Sequence, residues 1–353
     1  MPRKKTTTLN QLAEELGLTV HTVSKSLRGL PGMSEETRHE VLKLAKKRGY
    51  RTKEQEQAYA VEKIPLFPLK SRRFIFAIVN DQWSHSIVHQ LLLEGLQERF
   101  LEFNYQVHTI LFPSEATVNY SEWMELHNIA FADGLFISPM MPANLEHILL
   151  ELPMPKILLN FPPAGAKSDS VIWDVYDAIY QSVAYLYSFG HRRILYVGDI
   201  ESQRGFRLRW QAFNEAMHDF GLEVYPKQHM ILKHQHQEAW TADFSSKLIE
   251  QEPTAILCSI EQNLPWIYYT CSLLGKSIPQ HYSLISLENN KDSFLPEVTH
   301  PILAMRETGY RAADRILWRL ANPERPYEHT RLQCRFDKGN TVIKVRSANS
   351  IST

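Results

Sequence analysis

The sequence predicts an α/β protein in which a small all-α module precedes a large body of alternating strands and helices. Its 353 residues are 44% apolar and 22% charged, the balance of a globular protein with room for two or three domains. The first 53 residues repeat apolar side chains at helical spacing. From Phe74 onward, short apolar runs alternate with amphipathic stretches, which is typical of a mostly parallel sheet.

Composition and motifs exclude several classes of protein. No stretch reaches the roughly eighteen consecutive apolar residues that span a bilayer, so we expect no membrane association. The N-terminus lacks the apolar core of a secretory signal, which predicts a cytoplasmic protein. The three cysteines lie far apart, so no disulfide framework is expected. Phosphate-binding glycine loops and hydrolase signatures are missing, which predicts that the protein is not an enzyme.

One polar run comes close to a metal-binding pattern. His234 and His236 would share a face on a strand and could bind a metal in principle. No spaced second pair of ligands accompanies them, and a polar loop is the simpler interpretation. We therefore expect no metal and no cofactor.

Charge is distributed unevenly along the chain. The whole sequence is neutral, with 39 basic and 39 acidic side chains, yet residues 1–53 carry twelve Lys and Arg against five Glu. This module is basic, and the rest of the chain is acidic by the same amount. Phosphate neutralisation requires a local basic face, so the asymmetry indicates nucleic-acid binding by one end of the chain. A solvated basic tail that binds nothing is the alternative.

Three short helices are predicted within the basic module. The first ends at Gly17 and has apolar side chains at helical spacing: Leu9, Leu12, Ala13 and Leu16. Thr19 can cap a second helix, whose apolar face carries Val23. Ser34 can cap a third, which runs to about Arg48.

The spacing of small and apolar residues in the first two helices matches a helix-turn-helix. Ala13 lies where the helices would cross, Gly17 makes the turn, and Val23 faces the first helix. The second helix would then enter the major groove and present exposed side chains to bases and phosphates: Val20, His21, Thr22 and Lys25. A three-helix protein-interaction module is the alternative, which the basic excess disfavours.

These motifs resemble the headpiece of the lactose-repressor/galactose-repressor (LacI/GalR) family of bacterial transcription regulators. The similar segments are 8–14, 17–19, 22–25, 34–38 and 49–50, and later landmarks follow in order at 132–138, 190–194 and 253–256. The resemblance implies a DNA-binding headpiece at 1–51 and a homodimer that binds a pseudo-palindromic operator. It assigns DNA contacts to Thr8, Leu9, Thr19, Val20, His21, Thr22, Ser24, Lys25, Arg28, Tyr50 and Tyr59.

Residues 52–73 depart from the family's hinge. In the family, this segment folds on DNA into a short helix that inserts a leucine into the minor groove. Here Thr52 replaces the introducing proline, and Tyr59 stands where the leucine is expected. Glu54 and Glu56 would face a strongly negative groove. Two alternatives stay open: Tyr59 acts as a wedge, or the proline-containing segment is only a tether, which we favour.

The body at 74–345 is predicted to form two lobes, each with a doubly wound parallel sheet. Apolar runs predict strands at 74–79, 105–111, 134–137, 156–159, 194–197, 255–258 and 284–287. We expect a first lobe at about 74–190 and 301–325 and a second at about 191–300 and 326–345. By resemblance, this core is periplasmic-binding-protein-like and binds a ligand between the carboxyl ends of its strands.

Several residues at predicted strand ends could hold a small-molecule effector. Carboxylates and arginines bind sugar hydroxyls through paired hydrogen bonds, beside an aromatic ring. The resemblance places in this pocket Asp174, Asp177, Arg209, Trp240, Glu261 and Glu288, and Trp83 is an independent stacking candidate. Glu288 replaces a usual Asp and Ile260 a usual Asn, so the ligand can differ from a simple hexose.

Each of these residues has a second interpretation. Asp174 and Asp177 could stabilise a helix N-terminus, since carboxylates favour that end of the helix dipole. Arg209 could form a surface ion pair, and Trp240 could pack in the core. The sequence alone leaves these alternatives open.

The sequence therefore predicts a DNA-binding transcription regulator, a repressor of a carbohydrate-utilisation operon, whose DNA affinity a sugar-like effector controls. Whether that effector releases the protein from DNA or promotes binding is left open. The alternative is a solute-binding sensor or an enzyme on the same bilobed fold without specific DNA binding.

Overall fold

The computed structural model describes residues 7–27, 32–48, 50, 72–80, 86–114, 118–234, 236–287 and 297–345. The chain divides into two compact units, Met1–Lys70 and Ser71–Thr353, which we call the headpiece and the core. The predicted linker lies outside the described residues except for its last two positions. Within these ranges, every helix falls short of the length and apolarity that crossing a membrane requires.

The headpiece contains three helices, α1 (Leu9–Leu16), α2 (Val20–Leu27) and α3 (Glu35–Arg48). Local hydrogen bonds fix where they begin and end. Thr8 and Gln11 form a capping box at the start of α1, with N···O distances of 2.9 and 3.3 Å. Gly17 ends α1 at φ 65°, a left-handed conformation that glycine adopts without strain. The Thr19 hydroxyl accepts a hydrogen bond from the Thr22 N–H at 3.1 Å and so caps α2.

A small apolar core holds the three helices together. All three contribute buried side chains, which are Leu12, Ala13, Val23, Val41 and Ala45. Leu9 and Tyr50 are partly buried against this cluster. At the surface, Arg48 Nη2 lies 2.6 Å from Glu15 Oε1 and links α3 to α1. The headpiece therefore has its own core and its own tertiary ion pair.

The first lobe of the core contains a six-stranded parallel sheet. In pairing order the strands are β10 (His329–Leu332), β5 (Asp169–Trp173), β4 (Lys156–Leu158), β3 (Gly134–Ile137), β1 (Arg73–Asn80) and β2 (Gln106–Pro113). Its helices are α4 (Ile87–Leu101), α5 (Tyr120–Leu126), α6 (Ala143–Glu151) and α11 (Met305–Ala321), with a 3-10 turn at Ile129–Phe131. A β-carbon at Gly309 would overlap the carbonyl of Leu92, so glycine permits the close crossing of α11 and α4.

The second lobe has a three-stranded parallel sheet with helices on both faces. Its strands are β6 (Ile194–Val197), β7 (Ala255–Cys258) and β8 (Ser283–Ser286). Helices α7 (Val175–Ser188) and α8 (Arg204–Asp219) pack on one face, and α9 (Gln237–Gln251) and α10 (Leu264–Leu273) pack on the other. Remaining elements are 3-10 turns at Pro226–Gln228 and Glu261–Asn263 and an antiparallel pair, β9 (His300–Ile302) and β11 (Arg335–Asp337). The α/β fold with two doubly wound parallel sheets is thus confirmed.

Two segments lie in a different lobe from the one the sequence indicates. β10 falls within the range assigned to the second lobe, but it pairs with β5 in the sheet of the first. Helix α7 falls within the range assigned to the first lobe. Its Ile179 and Val183 are nevertheless buried in the second lobe's core, beside Tyr196 and Leu257. The chain therefore crosses between the lobes after Trp173, and the apolar face of α7 packs in the core of the second lobe.

A buried ion-pair network lies at the start of β5 and next to β10, two strands that the sequence analysis does not predict. β5 begins with Asp169, which is 0% exposed. Arg319 Nε and Arg315 Nη2 each donate to this carboxylate at 2.6 Å. The N–H of Glu328, just before β10, donates to it at 2.9 Å. Because the partners come from α11 and the chain after it, burial of this polar residue depends on tertiary structure.

Candidate DNA-binding face and effector cleft

Helix α2 leaves one face accessible. Val23 and Ser26 are buried, whereas Val20 is 40% exposed and His21 is exposed. Lys25 is partly exposed in the last turn of the helix. The structure therefore places Val20, His21 and Lys25 away from the headpiece core, on the side of α2 that the sequence assigns to DNA.

Several of the other predicted DNA contacts have structural roles in the headpiece. Thr8 caps α1, and Thr19 caps α2 through the N–H of Thr22. Tyr50 packs on the headpiece core, and its N–H donates to the carbonyl of Ala45 at 2.9 Å. Leu9 and Ser24 are partly buried, and Arg28 and Tyr59 lie outside the described residues.

In the core, Arg204 joins the carboxyl ends of the two sheets. It is the first residue of α8 in the second lobe. Its Nη2 donates to Glu146 Oε2 on α6 of the first lobe at 2.8 Å, and its Nε donates to the carbonyl of Phe161, after β4, at 2.9 Å. The Glu146 side chain is 4% exposed and that of Arg204 is 30% exposed. A charged donor thus bridges the lobes at the edge where open α/β sheets bind ligands.

Arg209 lies five residues further along α8 and is 4% exposed. Its Nη1 donates to the carbonyl of Ser259, which directly follows β7. Its guanidinium carbon lies 4.9 Å from the centroid of the Phe206 ring. The structure therefore buries Arg209 and places this cation at the carboxyl edge of the second sheet.

Asp174 and Asp177 lie where β5 leads into α7. Asp174 Oδ1 accepts hydrogen bonds from the N–H groups of Tyr176 and Asp177, at 3.0 and 3.2 Å, so Asp174 caps α7. Asp177 Oδ2 accepts from Gln181 Nε2 at 2.8 Å and from the Cys334 thiol at 3.5 Å. Burial, together with the negative charge of Asp177, raises the pKa of Cys334 to about 12. Both carboxylates thus have local structural partners.

Trp240 belongs to the apolar core of the second lobe. It is 3% exposed, its ring centroid lies 4.7 Å from that of Phe244, and its edge meets Trp266 at 5.5 Å. These contacts account for a large aromatic side chain here through packing. They favour the packing interpretation, and a role for Trp240 in the effector pocket stays a prediction. Glu261 is partly exposed after β7, whereas Trp83 and Glu288 lie outside the described residues.

Buried polar side chains at strand ends are missed by the sequence analysis, and two of them are Asn160 and Asp199. Asn160 follows β4, is 7% exposed, and donates from Nδ2 to the carbonyl of Pro139 at 2.7 Å. Asp199 follows β6, is 8% exposed, and accepts from the N–H groups of Glu201 and Ser202 at 2.8 and 3.0 Å. A polar residue directly after a short apolar run is the signal that could have identified them.

A metal site gains no support within the described part of the chain. No three His, Cys, Asp or Glu residues there come together in a group that could bind a metal ion. His234 Nε2 instead lies 3.2 Å from Asp243 Oδ2, and His236 is exposed next to the start of α9.

Known proteins are similar to this chain over most of its length. Residues 183–342 match the family model of a periplasmic binding protein-like domain. The HTH-type transcriptional regulator AglR of Rhizobium meliloti (strain 1021) is 26% identical, covering 89% of this chain and 88% of that protein. A LacI family transcriptional regulator from Enterococcus faecium with bound ribose has a TM-score of 0.62 at 21% identity, covering 78% of this chain and 100% of that one. The lac repressor dimer bound to operator and an anti-inducer has a TM-score of 0.63 at 17% identity, covering 96% and 100%. Over most of its length the chain is therefore similar in sequence to HTH-type transcription regulators, and it shares the fold of LacI family regulators.

Proposed function

We propose that this regulator is a cytoplasmic repressor of a carbohydrate-utilisation operon. A homodimer binds a pseudo-palindromic operator through its two headpieces, because a two-fold dimer presents two equivalent recognition helices. A sugar-like effector binds between the lobes of each core and changes the population of the DNA-binding state. The protein uses no metal or other cofactor.

The observation that carries this proposal is the accessible face of α2 in a strongly basic headpiece. Val23 and Ser26 point into the headpiece, which leaves Val20, His21 and Lys25 for DNA. Lys25 supplies a cation to phosphate or to a base edge, and Val20 supplies an apolar contact for a thymine methyl group. Arg28, Tyr50 and Tyr59 remain proposed DNA contacts.

The effector site is proposed at the carboxyl edges of the two sheets. Its polar groups combine one buried cation with carboxylates and an amide, which suit the hydroxyls of a polyol. The proposed residues are Arg209, Asp174, Asp177, Trp240, Glu261, Asn160, Trp83 and Glu288. Ribose is bound by the Enterococcus faecium relative, which supports a sugar-like ligand here.

An exposed apolar strip on α10 supports the homodimer. Tyr269 is 51% exposed and Leu273 is 61% exposed, and their spacing of four residues places them on one side of the helix. Two-fold symmetry would place the same strip of a second copy opposite this one.

Operator binding by the full-length protein tests the proposal. Binding to the chain's own upstream promoter is measured at fixed salt and titrated with a panel of sugars and sugar phosphates. Lys25→Ala is expected to weaken specific binding by roughly 10- to 100-fold, the range of one good base or phosphate contact. Lys43→Ala is the matched control, since Lys43 is exposed on α3 of the same headpiece.

Arg209→Ala tests the effector half of the proposal. We expect this variant to lose its response to the sugar. Its operator affinity without sugar should stay within about threefold of the wild type's, a smaller change than the loss of one DNA contact causes. Absence of sequence-specific DNA binding under every ligand would contradict the regulator and favour a solute-binding sensor or an enzyme.

A further inference from the structure

A pocket of about 250 Å³ opens on the first lobe, at the opposite edge of the sheet from the proposed effector site. Residues that precede three strands surround it, together with the end of α11: Met154, Lys156, Lys167, Arg319, Pro323 and Tyr327. Lys156 begins β4, Lys167 lies two residues before β5, and Tyr327 lies two residues before β10. In a parallel sheet these amino ends share one edge, so the pocket is separate from the carboxyl-edge cleft.

Arg319 fixes one wall of this pocket. Its Nη1 donates to the carbonyls of Asn322, Pro323 and Arg325 at 3.2, 3.1 and 2.6 Å. Its Nε and Nη2 donate to Asp169 at 2.6 and 3.0 Å. The guanidinium is therefore paired with a carboxylate and engaged with the backbone. It gives the pocket a rigid wall and leaves the recognition of a ligand to other groups.

Two lysines supply positive charge to the pocket. Lys156 is partly buried and Lys167 is exposed, and neither takes part in an ion pair among the described residues. Burial lowers the pKa of Lys156, and the negative charge of Glu151 acts in the opposite direction as the smaller of the two causes. A partly buried ammonium without a paired carboxylate is stabilised when an anion comes to it.

The other walls of the pocket are apolar. Met154 is 7% exposed, and the prolines on either side of it add further apolar surface. The Tyr327 ring is 49% exposed and lies 4.7 Å from the guanidinium carbon of Arg319. A ligand suited to this lining carries an anionic group at one end and a small ring or short apolar body at the other.

We propose that this pocket is a second ligand site, for a small organic phosphate or carboxylate that Lys156 and Lys167 hold by its anionic group. Its apolar body lies against Tyr327 and the prolines. The site is independent of the proposed effector cleft. A ligand bound there acts on the core as a second effector.

Calorimetric titration of the full-length protein with phenyl phosphate tests the site. Inorganic phosphate and phenol, the two halves of this probe, are titrated separately for comparison. Phenyl phosphate is expected to bind saturably and more tightly than either part. Lys156→Gln is expected to weaken binding at least tenfold, which corresponds to about 1.4 kcal/mol. Lys276→Gln, on an exposed residue of the second lobe, should leave the affinity unchanged.

Three results would overturn the proposal. The first is the absence of saturable phenyl phosphate binding, and the second is equal affinity in the wild type and Lys156→Gln. The third is displacement of phenyl phosphate by a sugar that Arg209→Ala no longer binds, which would place the probe in the effector cleft. Thermal unfolding verifies that Lys156→Gln is folded, because removal of a partly buried charge without an ion pair does not destabilise the lobe.

Discussion

Loss of the Arg204 bridge should allow the two lobes to separate. Arg204 donates two hydrogen bonds across the cleft, to Glu146 Oε2 at 2.8 Å and to the Phe161 carbonyl at 2.9 Å. Arg204→Gln removes the charge and the forked donor while it keeps a polar side chain of moderate length. Arg207→Gln is the matched control, because Arg207 is exposed three residues further along the same helix.

The magnitude follows from the burial of the two partners. A hydrogen bond to a charged group contributes about 1.5–3 kcal/mol. The Arg204 side chain is 30% exposed, and water can solvate Glu146 once the lobes part, so both effects reduce the cost. We therefore expect a loss of about 1.5–3 kcal/mol for both bonds together. This corresponds to roughly a 10- to 100-fold fall in the ratio of joined to parted lobes.

Distances between spin labels on the two lobes measure this change. Glu125→Cys and Lys276→Cys place one label on each lobe at exposed positions. The native thiols should not interfere, since Cys258, Cys271 and Cys334 are buried and burial raises the pKa of Cys271 to about 12. Arg204→Gln should broaden the distance distribution and add a longer component, and Arg207→Gln should not.

The double variant Glu146→Gln/Arg204→Gln identifies the source of the effect. If Arg204 and Glu146 act through each other, the double variant should separate the two lobes little more than Arg204→Gln alone does. Identical distance distributions in the wild type and Arg204→Gln would refute the bridge. So would equal changes in Arg204→Gln and Arg207→Gln.

Three further predictions concern stability. Asp169→Asn should destabilise the core by about 3–5 kcal/mol in denaturant unfolding, since it breaks a buried ion pair. Burial alone would raise the pKa of Asp169, but hydrogen bonds from Arg319 outweigh it and lower the pKa below its usual value. The stabilisation from this ion pair should therefore be present at neutral pH and be lost as the pH falls below about 4. Gly309→Ala should lower the Tm by several degrees, whereas Gly205→Ala, whose β-carbon would lie 3.8 Å from its nearest neighbour, should not. Burial lowers the pKa of His229 from 6.5 to about 4 in the folded protein. As the pH falls from 6.5 to 4, the unfolded chain therefore binds a proton at this residue before the folded protein does, and the free energy of unfolding should fall by about 3 kcal/mol. His229→Gln should remove this pH dependence. A pH dependence unchanged by that substitution would contradict the assignment to His229.

The candidate site was only partly predictable from the sequence. Arg209 was expected at the effector pocket, and the structure places it at the carboxyl edge of the second sheet, 4% exposed. Trp240 was expected there too, but it packs in the core with Phe244 and Trp266. Sequence spacing gives the element that carries an aromatic ring, whereas the side that faces the core depends on the neighbouring elements.

The sequence by itself determined the headpiece helices and the βα alternation of the core. The reason is that their signals are local: Thr8 and Gln11 cap α1 from three residues apart, and apolar runs define buried strands. Only the tertiary structure decided that β10 joins the first lobe and that Arg204 bridges the lobes. Glu146 lies 58 residues from Arg204, and Asp169 lies 150 residues from Arg319. Contacts at such separations depend on which surfaces meet after the chain has folded, and local propensity does not encode that.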